Sequence, residues 1–178
     1  MHDLAIIIVS TNEARWLTPC LTSVFEHAGT IALDVVVADN ESTDGTRELV
    51  EREFRAARVV TCENRGFAHA NNRGALTTDS RYVLFLNPDT EILEGTFEEL
   101  VNALEARPTV GLAGVKQVGA EGRLAPTIRR FPNAVRALGE ALASERLPRR
   151  GTWLGRARCR RTAARRLPAR RRAWTAAL

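Results

Sequence analysis

Tyr82-Val83-Leu84-Phe85-Leu86-Asn87-Pro88-Asp89-Thr90-Glu91-Ile92 is the stretch that decides the fold, because in it a hydrophobic run stops abruptly at a lone carboxylate. The run from Tyr82 to Leu86 is apolar at consecutive positions, the pattern of a central strand covered by helices on both faces. Pro88 closes it, since proline cannot donate to a strand ladder and holds the residue before it extended. Asp89 is then expected just past the carboxyl end of that strand, where open α/β sheets bind their ligands.

Upstream, the same plan repeats. Leu4 to Val9 is rich in β-branched residues and reads as a buried first strand, followed by the polar turn Ser10-Thr11-Asn12. A helix is expected from about Glu13 to His27. Its apolar positions Leu17, Cys20, Leu21, Val24 and Phe25 share one face, Trp16 and Phe25 are assigned to the core, and Gly29 stops it. Val35 to Ala38 is a second strand, and the polar loop Asp39-Asn40-Glu41-Ser42-Thr43-Asp44-Gly45 leads into a helix from about Thr46 to Phe54. Arg58 to Cys62 is a short third strand, and a small helix from Phe67 to Leu76 follows, with Asn64 as its cap. Downstream of Asp89, Gly95 to Ala106 reads as a helix closed by Pro108, Val110 to Val118 as an apolar strand, and Ala134 to Ser144 as a further helix.

Strands alternating with helices predict an α/β fold with a mostly parallel sheet. The loops after Val9, after Ala38 and before Asp89 then open on one edge. No GxGxxG follows the first strand and no GxxxxGK[ST] occurs, which argues against a dinucleotide-binding dehydrogenase and a P-loop NTPase.

Charge divides the chain. Residues 1–145 hold 14 Lys and Arg against 21 Asp and Glu, a net of −7, whereas residues 146–178 hold 12 Arg and no acid. The acidic body gives no support to a nucleic-acid-binding face. No apolar run approaches the roughly 18 residues of a membrane span, and no signal-peptide pattern opens the chain, so the expected location is cytoplasmic or peripheral at the inner face of a membrane. Cys20, Cys62 and Cys159 have neither zinc-ligand nor CxxC spacing and read as reduced thiols.

Four motifs stand in order: Ile7-Ile8-Val9-Ser10-Thr11-Asn12-Glu13; Val37-Ala38-Asp39-Asn40-Glu41-Ser42-Thr43-Asp44-Gly45-Thr46; Asn64-Arg65-Gly66-Phe67-Ala68 with Asn71-Asn72-Arg73-Gly74; and Leu86-Asn87-Pro88-Asp89-Thr90. Together they resemble the family 2 glycosyltransferases, most closely the rhamnosyltransferase-like members, over residues 4–154 and including Arg129-Arg130-Phe131-Pro132. The resemblance implies a GT-A nucleotide-diphospho-sugar fold, incomplete at its C-terminus, with Thr11 and Glu13 beside the nucleotide and Asp39 accepting from the N3–H of uracil or thymine. It also implies Arg65 near the diphosphate and Asp89 as the metal-binding residue, with Asn87 where the family usually has the first Asp of its DxD motif. The cofactor would be Mg²⁺ or Mn²⁺, since hard divalent cations suit oxygen ligands. The donor would be UDP- or dTDP-linked and the acceptor a saccharide or lipid-linked saccharide of the cell envelope.

Plainer roles compete with some of these. Asp39 is also a residue type that caps a loop, Arg65 is equally a solvated surface charge, and Asp44 beside Gly45 reads as a loop-ordering residue. His2, His27 and His69 carry no ligand spacing and read as surface or packing residues.

Inverting transfer needs a general base for the acceptor hydroxyl. In the family that base is an acidic residue well downstream of the metal motif, and here no Asp or Glu follows Glu145. The division expected is a partial nucleotide-sugar-binding domain over 1–154 and a disordered Arg/Ala-rich tail over 155–178, whose composition resembles out-of-frame reading of a GC-rich gene. Two rival readings are a non-catalytic nucleotide-binding remnant and a basic-tail protein that binds nucleic acid or an anionic membrane surface.

Overall fold

The computed structural model describes residues 2–119, 122–125 and 175–177. The expected helix at Ala134–Ser144 lies outside them, as do Arg129 to Pro132 and nearly all of the arginine-rich tail. Along the chain run β1 (Leu4–Ser10), α1 (Ala14–Glu26), β2 (Leu33–Asp39), α2 (Thr46–Glu53), β3 (Ala57–Thr61), α3 (Phe67–Ala75), β4 (Tyr82–Leu86) and α4 (Thr96–Glu105). They are followed by three short strands, β5 (Lys116–Val118), β6 (Leu124–Ala125) and β7 (Thr175–Ala177).

The first four strands form a parallel sheet in the order β3-β2-β1-β4. In β1 every residue is buried, because alternate side chains enter two different cores. Ile6 and Ile8 pack with Leu17, Leu21 and Val24 of α1, Val50 of α2 and Phe97 of α4. Ile7 and Val9 point the other way, into a core with Val36, Ala38 and Ala70 of α3. Each such side chain contributes about 1.5–3 kcal/mol on burial, which is why β1 and the inner part of β2 carry uninterrupted apolar sequence.

β4 departs from expectation. It is an edge strand of the four-stranded sheet, and only one of its faces is covered: Val83 and Phe85 are 41% and 51% exposed. The register explains this. Val83 and Phe85 stand beside Ala5 and Ile7, on the face covered by α3, but α3 lies over β1 and β2. An apolar run therefore marks a strand without fixing how many of its faces are covered.

Other local expectations also change. Val110 and Leu112 are exposed, and only Lys116–Val118 of the expected strand pairs, with β6 and β7 in a separate antiparallel sheet. Trp16 is exposed, with the Arg15 guanidinium 5.0 Å from its ring centroid, because it sits beside Leu17 on the outward shoulder of α1. Phe25 does reach the core, stacking on Phe54 at 6.2 Å. Gly66, not Asn64, is the N-cap of α3, and the Asn64 carboxamide is engaged by Asn40 instead.

Gly74 lets α3 approach the sheet: a Cβ there would lie 2.7 Å from Ile7 Cγ2. Gly74→Ala gains about 1 kcal/mol of helix propensity, but it must displace a fully buried isoleucine, at a typical cost of about 1–3 kcal/mol. We expect a lower denaturant midpoint for this variant; an unchanged or higher midpoint would show that Ile7 yields freely.

Candidate functional site

Parallel pairing brings the carboxyl ends of β1, β2 and β4 to one edge, with Ser10 opposite Asp39 and Ile8 opposite Leu86. α1 leaves β1 on one face of the sheet, whereas α3 crosses the other face to reach β4, so the strand order reverses beside β1. That is the crevice where open α/β sheets take ligands. A cleft of about 270 Å³ opens there, between Val9, Thr11 and Glu13 on one side and Asn87, Pro88 and Asp89 on the other, with Phe67 of α3 completing it.

Thr11, Glu13, Asn87 and Asp89, chosen from sequence, thus meet in one cleft. Asp89 is exposed there, and Glu13 is half-buried at the N-cap of α1. Burial, and then the negative charge of Asp89, push the Glu13 carboxyl above its ordinary value, while Arg15 opposes them. Asp39 lies one strand over at the end of β2. It is only 3% exposed, and its Oδ1 has no hydrogen-bond partner. Arg65 does not line the cleft; its guanidinium bonds Glu63 in an exposed pair, Nε to Oε2 at 2.6 Å.

Asp44 orders its loop. Its Oδ1 accepts from the Thr46 amide and hydroxyl, and its Oδ2 accepts from the Ala14 amide at 3.0 Å, tying the second loop to the start of α1. These bonds hold its carboxyl below its ordinary value against the opposing effect of burial.

Two supporting residues were not singled out from sequence. Asn40 is buried, and its amide donates to Thr11 Oγ1 at 3.1 Å and to Asn64 Oδ1 at 2.9 Å, joining the loops after β1, β2 and β3. Ser23 of α1 accepts the Ile92 amide at 2.8 Å while donating to the Cys20 carbonyl, which fixes the segment after Asp89. The Cys20 thiol donates to the Asn87 carbonyl oxygen at 3.7 Å, and burial, aided by the Asp89 charge, pushes its pKa up to about 12. Asn40 follows Asp39 directly in the second motif, a signal available in the sequence. Ser23 carried none, because only the fold brings it to a segment 69 residues away.

No group of three or more His, Cys, Asp or Glu side chains able to hold a metal ion occurs among the described residues. The cleft instead offers the Glu13 and Asp89 carboxylates, an all-oxygen pair suited to a hard cation whose remaining ligands come from a bound molecule.

A parallel sheet with helices on both faces and a cleft at this switch point is common to nucleotide-binding α/β folds, the GT-A glycosyltransferase fold among them. S. aureus TarS, residues 1–349, superposes with a TM-score of 0.55 at 19% identity, covering 74% of this chain and 39% of that one. The chain belongs to the glycosyl transferase family 2, which matches residues 5–169. Among curated relatives, the minor teichoic acid biosynthesis protein GgaB of Bacillus subtilis is 26% identical over 129 residues, covering 68% of this chain and 14% of that protein. The N-acetylglucosaminyl-diphospho-decaprenol L-rhamnosyltransferase of Mycobacterium tuberculosis is 28% identical over 129 residues, covering 66% of this chain and 42% of that protein. The chain thus spans less than half the length of these relatives.

Two outcomes follow from this geometry. Ser23→Ala leaves the buried Ile92 amide unpartnered and should cost about 1–3 kcal/mol, read by denaturant unfolding; a loss below a few tenths would show that the bond is dispensable. A raised carboxyl opposes folding only when ionised, so the Glu13 penalty is absent below the unfolded value of about 4.3 and complete above the folded one. Glu13→Gln should therefore gain stability relative to the unsubstituted chain between pH 3 and pH 7, and a pH-independent difference would contradict this.

Proposed function

We propose that this chain binds a nucleotide-diphospho-sugar and serves inverting transfer of the sugar to an acceptor hydroxyl. The observation that carries the proposal is the buried Asp39 Oδ1 without a partner, across β1 from the open carboxylate of Asp89 that follows β4. A buried carboxylate oxygen is costly unless a donor reaches it. The N3–H of uracil or thymine is such a donor, and reading it selects a pyrimidine base.

With the base held at Asp39, the diphosphate runs across the end of β1 toward Thr11, Glu13 and Asp89. Asp89 and Glu13 would hold Mg²⁺ or Mn²⁺ together with phosphate oxygens, and the cation would supply Lewis-acid stabilisation of the leaving diphosphate. Asn87 contributes the turn that carries Asp89, since its carbonyl accepts the Thr90 amide at 3.1 Å. Arg65 reaches the diphosphate in this scheme by exchanging its exposed partner Glu63, a pair worth little in water.

These residues serve donor binding and leaving-group stabilisation, and none of them is assigned the proton of the acceptor hydroxyl. The acceptor class is a saccharide or lipid-linked saccharide, in keeping with the names of the teichoic acid and decaprenol-linked relatives. No helix among the described residues is long and apolar enough to cross a membrane.

Titration calorimetry with UDP and dTDP, with and without Mn²⁺, tests the proposal. We expect metal-dependent binding that Asp89→Ala weakens at least about tenfold, equivalent to 1.4 kcal/mol, and that Asp39→Ala weakens with or without the metal. Binding indifferent to both substitutions would refute the assignment.

A further inference from the structure

Phe67 is 56% exposed, although it is a large aromatic side chain at the start of α3 and lines the cleft. Scattered surface hydrophobics are ordinary. This one stands in a concavity, with Val9 and Pro88 as its apolar companions and Thr11, Asn87 and the Glu13 and Asp89 carboxylates as the polar part of the lining.

The cleft thus combines apolar and acidic surfaces. Its volume of about 270 Å³ falls below the roughly 300–1,000 Å³ of pockets that enclose whole drug-sized ligands. It therefore accommodates one end of a nucleotide-diphospho-sugar. Which end follows from the strand order: Asp39 terminates β2, whereas the cleft lies between the ends of β1 and β4, on the far side of β1 from β3. With the base at Asp39, the sugar end is the one that enters.

A pyranose suits such a lining, because its ring presents C–H groups on its faces and hydroxyls at its rim. The C–H groups are weakly positive and pack on the negative face of an aromatic ring, while the hydroxyls meet the Asn87 carboxamide, which also lines the cleft and is not assigned to the cation. We propose that Phe67 is the platform on which the transferred sugar packs, and hence a specificity-determining residue of the donor site. This inference rests on the nucleotide-sugar reading above. It assigns Phe67 to the sugar and not to the base.

The test compares bare nucleotides with nucleotide-sugars on the full chain. Calorimetry with Mn²⁺ uses UDP, dTDP, UDP-glucose, UDP-N-acetylglucosamine and dTDP-rhamnose, and takes the ratio of affinities between the tightest-binding sugar conjugate and its own nucleotide. For Phe67→Ala, nucleotide affinity should stay within twofold while the conjugate loses five- to tenfold; Phe67→Tyr, which keeps the ring, should restore the ratio. Retained nucleotide binding also reports that the variant is folded. An unchanged ratio, or equal loss for nucleotide and conjugate, overturns the role of Phe67 while leaving the nucleotide site intact. Failure of every nucleotide to bind the unsubstituted chain instead overturns the donor-site reading itself.

Saturation-transfer NMR on the unsubstituted chain gives a second readout. Irradiating aromatic protons should transfer saturation to the sugar ring C–H protons, and Phe67→Leu should reduce that transfer. Transfer confined to base and ribose would contradict the proposal.

Discussion

The structure depends on one constraint, the burial of β1 on both faces and both edges. Because β1 pairs in parallel with β2 on one side and β4 on the other, three loops are delivered to one edge of the sheet at fixed heights. The apolar alternation of Ile6 and Ile8 against Ile7 and Val9 makes a register slip costly, since moving by one residue would exchange the two packed faces. Asp39 is thereby placed by the sheet itself, as the last residue of β2, and Asp89 by the turn that directly follows β4.

On that scaffold, polar contacts hold the loop residues. Asn40 couples the first three strand-ending loops, Asp44 fastens the second to α1, and Ser23 with Cys20 fastens the loop after β4 to the same helix. α1 thus serves two purposes at once, with one set of positions filling the core and another pinning both sides of the cleft. Two carboxylates can then face a common space, and their mutual repulsion, visible at Glu13, favours a bound cation or a proton donor.

Much of this was legible in sequence where the physics is local. Consecutive β-branched residues in β1, helical periodicity in α1 and the glycine stops located the elements from β1 to α4 to within a residue or two. The four motifs located the family and the residues that converge on the cleft. What could not be read depends on neighbours far along the chain. The apolar run Tyr82–Leu86 is the same whether α3 covers β4 or stops over β1, and the Val110 segment looks strand-like although it has no place beside β4.

In the proposed donor site the two ends of a nucleotide-sugar lie on either side of β1, with the base at an unpaired buried carboxylate and the diphosphate at an open one. The most direct measurement is a crystal structure of the chain with UDP and Mn²⁺. The expected result is the Asp39 carboxylate within hydrogen-bonding distance of the uracil N3, and the diphosphate facing Glu13 and Asp89. A nucleotide bound elsewhere, or bound at this edge with Asp39 Oδ1 still unpaired, would contradict it.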